Sequence, residues 1–293
     1  MSISYKIAEN ICLKLNKLPG GGVKSLMFKG AEELEKSEKL PGFVGRRGIN
    51  VRSFQHLGFR IFRFSASRAD EKEKRAILFL PGGGGMTRAT RLHYDTAIRI
   101  AKKTGILVYL ANYPLAPKYN VRDALAWLED VYEVMLKKHS PKEMILMGDS
   151  AGANLILSLT YRLEKKPGKL IVISPACGLE YGKNRNIRLA MEPYDPILNV
   201  KMNDMIAENW CRNVPLDSSD ISPEYIDYKG FPPMFFLYGK HELFYPHVMN
   251  YLAMLKEEGV DYKEDVREMC HDWALCSFFP EGRVAIREMC EWI

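Results

Sequence analysis

The chain has only six cysteines in 293 residues, and no two of them stand in a C-x-x-C spacing. That pattern excludes a zinc knuckle and a redox dithiol. A chain of this length buries a core that holds without disulfides, so reduced thiols in a reducing compartment are expected. No apolar run approaches the roughly 20 residues that span a bilayer. The N-terminal MSISYKIAENICLKLNK carries charges where a secretory leader has its apolar centre. A cytoplasmic protein without stable membrane insertion is therefore expected. Long runs of one charge are missing as well. The formal net charge is +6, from 42 basic and 36 acidic residues, but pairs such as Arg46-Arg47 and Lys137-Lys138 are short and set among acids. A solvated surface follows, and no nucleic-acid partner.

What the chain does have is a rhythm. From residue 76, short apolar runs alternate with amphipathic segments: AILFL (76–80), a helix near 90–103, ILVYLA (106–111), a helix near 121–137, MILMG (144–148), a helix near 151–164, and KLIVIS (169–174). Nearly continuous apolar strands separated by helices indicate βαβ units and a parallel sheet covered on both faces. The rhythm stops after Pro175 and resumes with MFFLYG (234–239), a helix at 246–258, a weaker strand near Tyr262 to Val266 and a helix at 281–292. Gly58 to Phe64 reads as a partly exposed strand. Two apolar helical stretches precede it, one through Ile3, Ile7, Ile11, Leu15 and Leu18, the other through Val23, Leu26, Met27 and Leu34. The organisation expected is one α/β domain. Its core is about 50–177 and 225–293, and a cap is built from about 1–48 and 178–224. Such a cap would lie over the carboxyl edge of the sheet, where open α/β sheets bind ligands.

Two stretches carry chemistry. Gly148-Asp149-Ser150-Ala151-Gly152 matches G-x-S-x-G between an apolar strand and a helix, the sharp turn that exposes a serine hydroxyl. A serine needs a base and an orienting acid, and in this arrangement both follow it in the chain. His241, His247 and His271 qualify as bases. His271 is preferred because it lies in a loop between the last strand and the last helix. Glu242, three residues past the strand-ending Gly239, is preferred as the acid over Asp227, Asp265 and Asp272. The second stretch is FLPGGGGM (79–86). No Gly-Lys-Ser/Thr follows, so it is not a phosphate loop; Thr87 stands where a dinucleotide fingerprint needs its third glycine. Backbone N–H groups aimed at an oxyanion remain, with Gly82, Gly83 and Ala151 as the expected donors.

With these pieces in order, the chain from about residue 75 onward resembles the hormone-sensitive-lipase-like family of α/β-hydrolase esterases. LPGGGG resembles its H-G-G-G loop, NYPLAPKYN its Y-R-L-A-P-E stretch, GDSAGAN its nucleophile turn, and LYGKHELF and EMCHDW the segments bearing acid and histidine. The resemblance implies an α/β-hydrolase fold, with a mostly parallel central sheet, helices on both faces and a helical cap. It also implies a carboxylesterase that uses Ser150, Glu242 and His271 on esters of small to medium acyl chains, without cofactor or metal. An amidase or deformylase on the same triad, or a non-catalytic ligand-binding protein, are the alternatives. The oligomeric state is left open, a homodimer included. Pro81 replaces the family's histidine and Glu242 its usual aspartate. Pro114 and Lys118 also depart from the pattern.

Overall fold

The computed structural model describes residues 3, 5–7, 9–10, 40, 42, 44, 48–66, 73–179 and 183–293. Residues 3, 5–7, 9 and 10 are helical. The rest of the two N-terminal helical expectations lies outside the described residues.

The AILFL segment forms β3 (Ala76–Leu80), and all five of its side chains are buried. Alternate residues leave a strand on opposite faces. Ala76, Leu78 and Leu80 accordingly enter one core and Ile77 and Phe79 another. The same division runs through β4 (Leu107–Ala111), β5 (Met144–Asp149), β6 (Lys169–Ile173) and β7 (Met234–Gly239). Each apolar side chain fully buried in this way contributes about 1.5–3 kcal/mol, which fixes the register of a sheet covered on both sides. One face is covered by α2 (Val121–Leu136), α3 (Ala151–Arg162) and α6 (Tyr245–Glu257). The other is covered by α1 (Arg91–Thr104) and α7 (Pro280–Trp292).

Local signals set where these helices begin and end. The Asn120 side chain accepts the Arg122 and Asp123 amides at the start of α2, supplying partners for N–H groups that the first turn leaves unpaired. Gly105 ends α1 in the left-handed region at φ 77°.

With β1 (Asn50–His56), β2 (Phe59–Ser65) and β8 (Tyr262–Arg267), the sheet has eight strands in the order β1-β2-β4-β3-β5-β6-β7-β8. The β1/β2 and β2/β4 pairs are antiparallel and the others parallel. Leu80 pairs with Gly148, Asp149 with Ile173 and Gly239 with Arg267. The glycine run, Ser150, Glu242 and His271 therefore all leave the sheet from its carboxyl edge. The insertion between β6 and β7 carries α4 (Lys183–Met191) and α5 (Val200–Trp210). From the N-terminal segment, the Tyr5 hydroxyl donates to Tyr194 O at 2.8 Å and its ring lies 4.2 Å from that of His241. Among the described residues no helix is long and apolar enough to cross a membrane.

Candidate active site

Ser150 joins β5 to α3 with φ 51° and ψ −120°, a conformation that costs a residue with a side chain about 1–3 kcal/mol. Close packing imposes it. A Cβ on Gly152 would lie 2.0 Å from Leu80 O, and one on Gly148 would lie 2.3 Å from Gly152 O. The Ser150 amide donates to Ile173 O at 2.9 Å. The turn is thus pinned to the neighbouring strand while its hydroxyl is turned out of the sheet.

Of the three histidines that follow, one meets the serine. His271 Nε2 lies 2.9 Å from Ser150 Oγ, and its Nδ1 lies 3.2 Å from Glu242 Oε2. Glu242 is wholly buried. Its other oxygen, Oε1, accepts from the Gly239 amide and from Ser174 Oγ, each at 2.6 Å. The glutamate's extra methylene lets it curl back on the end of its own strand while still reaching the imidazole. The remaining candidates are engaged elsewhere. His241 Nε2 faces Glu268, His247 Nε2 faces Asn184 O, Asp265 binds Arg267, and Asp227 accepts the Lys229 amide. His247 is also held below its ordinary pKa by burial and by the nearby Arg188.

Asp272, the fourth acid candidate, does not orient Nδ1. Its Oδ2 lies 3.4 Å from His271 Nε2, on the serine side of the ring. Asp195 enters from the insertion. Its Oδ2 accepts the Leu243 amide at 2.7 Å, and its Oδ1 accepts the Ile197 and Leu198 amides. Burial pushes the Asp195 carboxyl up to about 6, against the pull of His271 and of these backbone bonds. For His271, burial opposes the charged form. The carboxylates of Asp272, Glu242 and Asp195 oppose it and push the imidazole above its ordinary pKa. Burial likewise pushes the Asp272 carboxyl up, which His271 opposes.

The glycine run divides its labour. The Gly82 amide donates to Asp149 Oδ2 at 3.0 Å, which corrects the expectation that Gly82 is an oxyanion donor. A Cβ there would stand 2.4 Å from the same carboxylate oxygen, so only a bare backbone passes. Asp149 Oδ2 also meets His93 Nε2 at 3.0 Å, while His93 Nδ1 accepts the Thr90 amide at 2.8 Å. Because Nδ1 accepts, Nε2 carries the proton and donates to Asp149. The loop is thus braced through Asp149 and α1, with Pro81 contributing a carbonyl that accepts the Tyr113 hydroxyl at 2.7 Å.

Gly83, Gly84 and Gly85 all have positive φ, from 65° to 100°. Cβ atoms on Gly84 and Gly85 would collide with Ile206 and Trp210 of α5, at 2.5 and 2.1 Å. Gly83 and Gly84 line the same pocket as Ser150 and Ala151, with Leu198, Ile206 and Trp210 supplying apolar wall. Their amides make no hydrogen bond within the described residues. Gly84, His93, Asp149, Ser174 and Asp195 were not picked out by sequence reasoning. Asp149 and Gly84 lay inside motifs already noted, whereas the others have no local signal. Among the described residues no group of three or more His, Cys, Asp or Glu could hold a metal ion.

A family model described as alpha/beta hydrolase fold matches residues 77–275. An esterase of Acinetobacter venetianus is 26% identical over 248 residues, 80% of each chain. Among solved structures, an esterase/lipase from an uncultured bacterium superposes with a TM-score of 0.83 at 22% identity, covering 100% of this chain and 98% of that one. A hormone-sensitive lipase from a metagenome library gives 0.81 at 20% identity, covering 98% and 96%.

Proposed function

The chain belongs to the α/β-hydrolase family, and from that premise we propose that it is a serine carboxylesterase of the hormone-sensitive-lipase-like type. The observation that carries this reading is the unbroken line from Ser150 Oγ through His271 to Glu242, at 2.9 and 3.2 Å. Ser150 Oγ attacks the acyl carbonyl carbon while His271 Nε2 takes its proton. Glu242 holds the ring and balances the imidazolium charge. The developing oxyanion sits against the amides of Gly83, Gly84 and Ala151, the last at the positive end of α3. Loss of one such donor costs about 3 kcal/mol of transition-state stabilisation. The proton passes to the leaving alcohol, and water then releases the acyl group by the same steps in reverse.

The insertion acts as a cap, with Tyr5 bound to it through Tyr194 O. The apolar wall of Leu198, Ile206 and Trp210 favours small to medium acyl chains. The free thiols of Cys177, Cys211, Cys270, Cys276 and Cys290 support a reducing, cytoplasmic setting.

A fluorophosphonate probe tests the reading. The wild type is expected to be labelled and Ser150→Ala to remain unlabelled and inactive on p-nitrophenyl esters. Labelling that persists in Ser150→Ala would contradict the nucleophile, and an unlabelled wild type would contradict the hydrolase itself. Matched esters and amides of one acyl group then separate esterase from amidase activity.

A further inference from the structure

Two carboxylates flank His271, and the mechanism above uses only one. Glu242 meets Nδ1, whereas Asp272 Oδ2 stands 3.4 Å from Nε2, the nitrogen that also faces Ser150 Oγ at 2.9 Å. Adjacent residues seldom place side chains on one ring. Here the backbone arranges it: Asp272 adopts φ 57° and ψ 23°, a left-handed conformation that aspartate tolerates better than most residues. Its amide donates to Ser174 Oγ at 3.1 Å, and that hydroxyl donates to Glu242 Oε1 at 2.6 Å. One serine therefore ties both carboxylates to their places around the imidazole.

The surroundings leave Asp272 no other cation. It lines the pocket with Ser150, and no lysine or arginine is among the described residues that do so. Its Oδ1 is buried and without a hydrogen-bond partner among the described residues. The side chain is 23% exposed, on the pocket side, and its buried, unpartnered oxygen favours a cationic neighbour. The partner that the geometry offers is an imidazolium at His271.

We propose that Asp272 is a positioning carboxylate for His271, its charge stabilising the imidazolium between the proton's arrival from Ser150 and its delivery to the leaving alcohol. The inference deepens, and rests on, the esterase reading. As the nucleophile attacks, the Oγ–H bond breaks, the Oγ–C and Nε2–H bonds form, and the carbonyl electron pair moves onto oxygen. The imidazolium so formed then lies within ion-pair distance of Asp272, whose Oδ2 is 3.4 Å from Nε2. When the tetrahedral species collapses, the bond from carbon to the leaving oxygen breaks and that oxygen takes the proton. Asp272 finishes as it began. It favours the cationic ring that exists only during turnover, at the cost of holding a proton on the resting base to higher pH.

The groups facing His271 are Glu242 from the turn after β7, Asp195 from the insertion and Asp272 itself, with Asp149 acting on Asp272 from the end of β5. Glu242, Asp195 and Asp272 each favour the imidazolium, whereas Asp149, Glu242 and Asp195 oppose a charge on Asp272. Removing the charge of Asp272 therefore shifts His271 towards lower pH.

The test is Asp272→Asn, whose side chain keeps the shape and tolerates the left-handed backbone. Asp272→Gly serves as a second variant that meets no steric barrier at that φ. NMR titration of the His271 ring reads the proposal without turnover, and the acid limb of kcat/KM reads it during turnover. Both are expected to move down by about one pH unit or more in either variant. An unmoved ring titration, with or without a lower plateau rate, would overturn the role. If the ring titration moves while the wild type shows no Ser150-dependent hydrolysis, the esterase reading falls and the hold of Asp272 on His271 stands.

Discussion

Glu242 stands where one methylene more than aspartate must be accommodated, and its environment shows how. Oε1 is saturated by the Gly239 amide and the Ser174 hydroxyl, which leaves Oε2 to His271. Every group facing this carboxylate is a donor, so an amide in its place would set donor against donor and favour the wrong imidazole tautomer. Glu242→Gln is expected to lower kcat by on the order of 10⁴-fold with little change in KM, as measured by steady-state hydrolysis of a p-nitrophenyl ester. Unchanged turnover would move the acid role to another carboxylate. Among the candidates, Asp227 and Asp265 have partners of their own, and Asp272 faces the other ring nitrogen.

Between elements, Asp195 joins the insertion to the turn bearing Glu242. Two of its bonds cap the segment entering α5, and the third holds the Leu243 amide. Its carboxyl titrates near about 6 in the fold instead of its ordinary 3.8, chiefly through burial. An acid whose folded pKa is raised favours the folded state at low pH. That contribution fades as pH rises from about 4 through about 6, and a shift of about two units corresponds to about 3 kcal/mol. Asp195→Asn keeps an oxygen for Ile197 and Leu198, loses the Leu243 bond and has no such titration. Its stability relative to wild type is expected to improve between about pH 4 and pH 7, read from urea midpoints at the two pH values. A gap that stays constant would contradict a buried, titrating Asp195.

Legibility followed burial at this scale. The central strands were plain in the sequence because both faces are buried and no polar residue interrupts them, as in AILFL. β1 (NVRSFQH) was not foreseen, since it is an edge strand with five of seven residues exposed. α4 (KNRNIRLAM) was hidden for another reason: its buried Arg188 is charged, so it has no apolar stripe to read. Ser150, His271 and Glu242 were legible because motif, chain order and strand ends restrict the choice. The Gly82 bond to Asp149 was not, because it depends on how closely two loops approach in space.

Across the whole molecule, parallel pairing brings the ends of β3, β5, β6, β7 and β8 to one edge, where each contributes a part. The glycine run follows β3, Ser150 follows β5, Ser174 follows β6, Glu242 follows β7 and His271 follows β8. The sheet supplies the rigidity and the loops the chemistry, which is why residues 121 positions apart meet at 2.9 Å. The division of the glycines follows from the same geometry: Gly82 braces the loop through Asp149, while Gly83 and Gly84 line the pocket. The most direct measurement is a crystal structure of the protein after reaction with a fluorophosphonate. The account predicts a covalent bond to Ser150 Oγ, with the phosphonyl oxygen about 2.7–3.1 Å from the amides of Gly83, Gly84 and Ala151 and Gly82 still bound to Asp149. An adduct on another residue, or an oxygen turned away from those three amides, would contradict it.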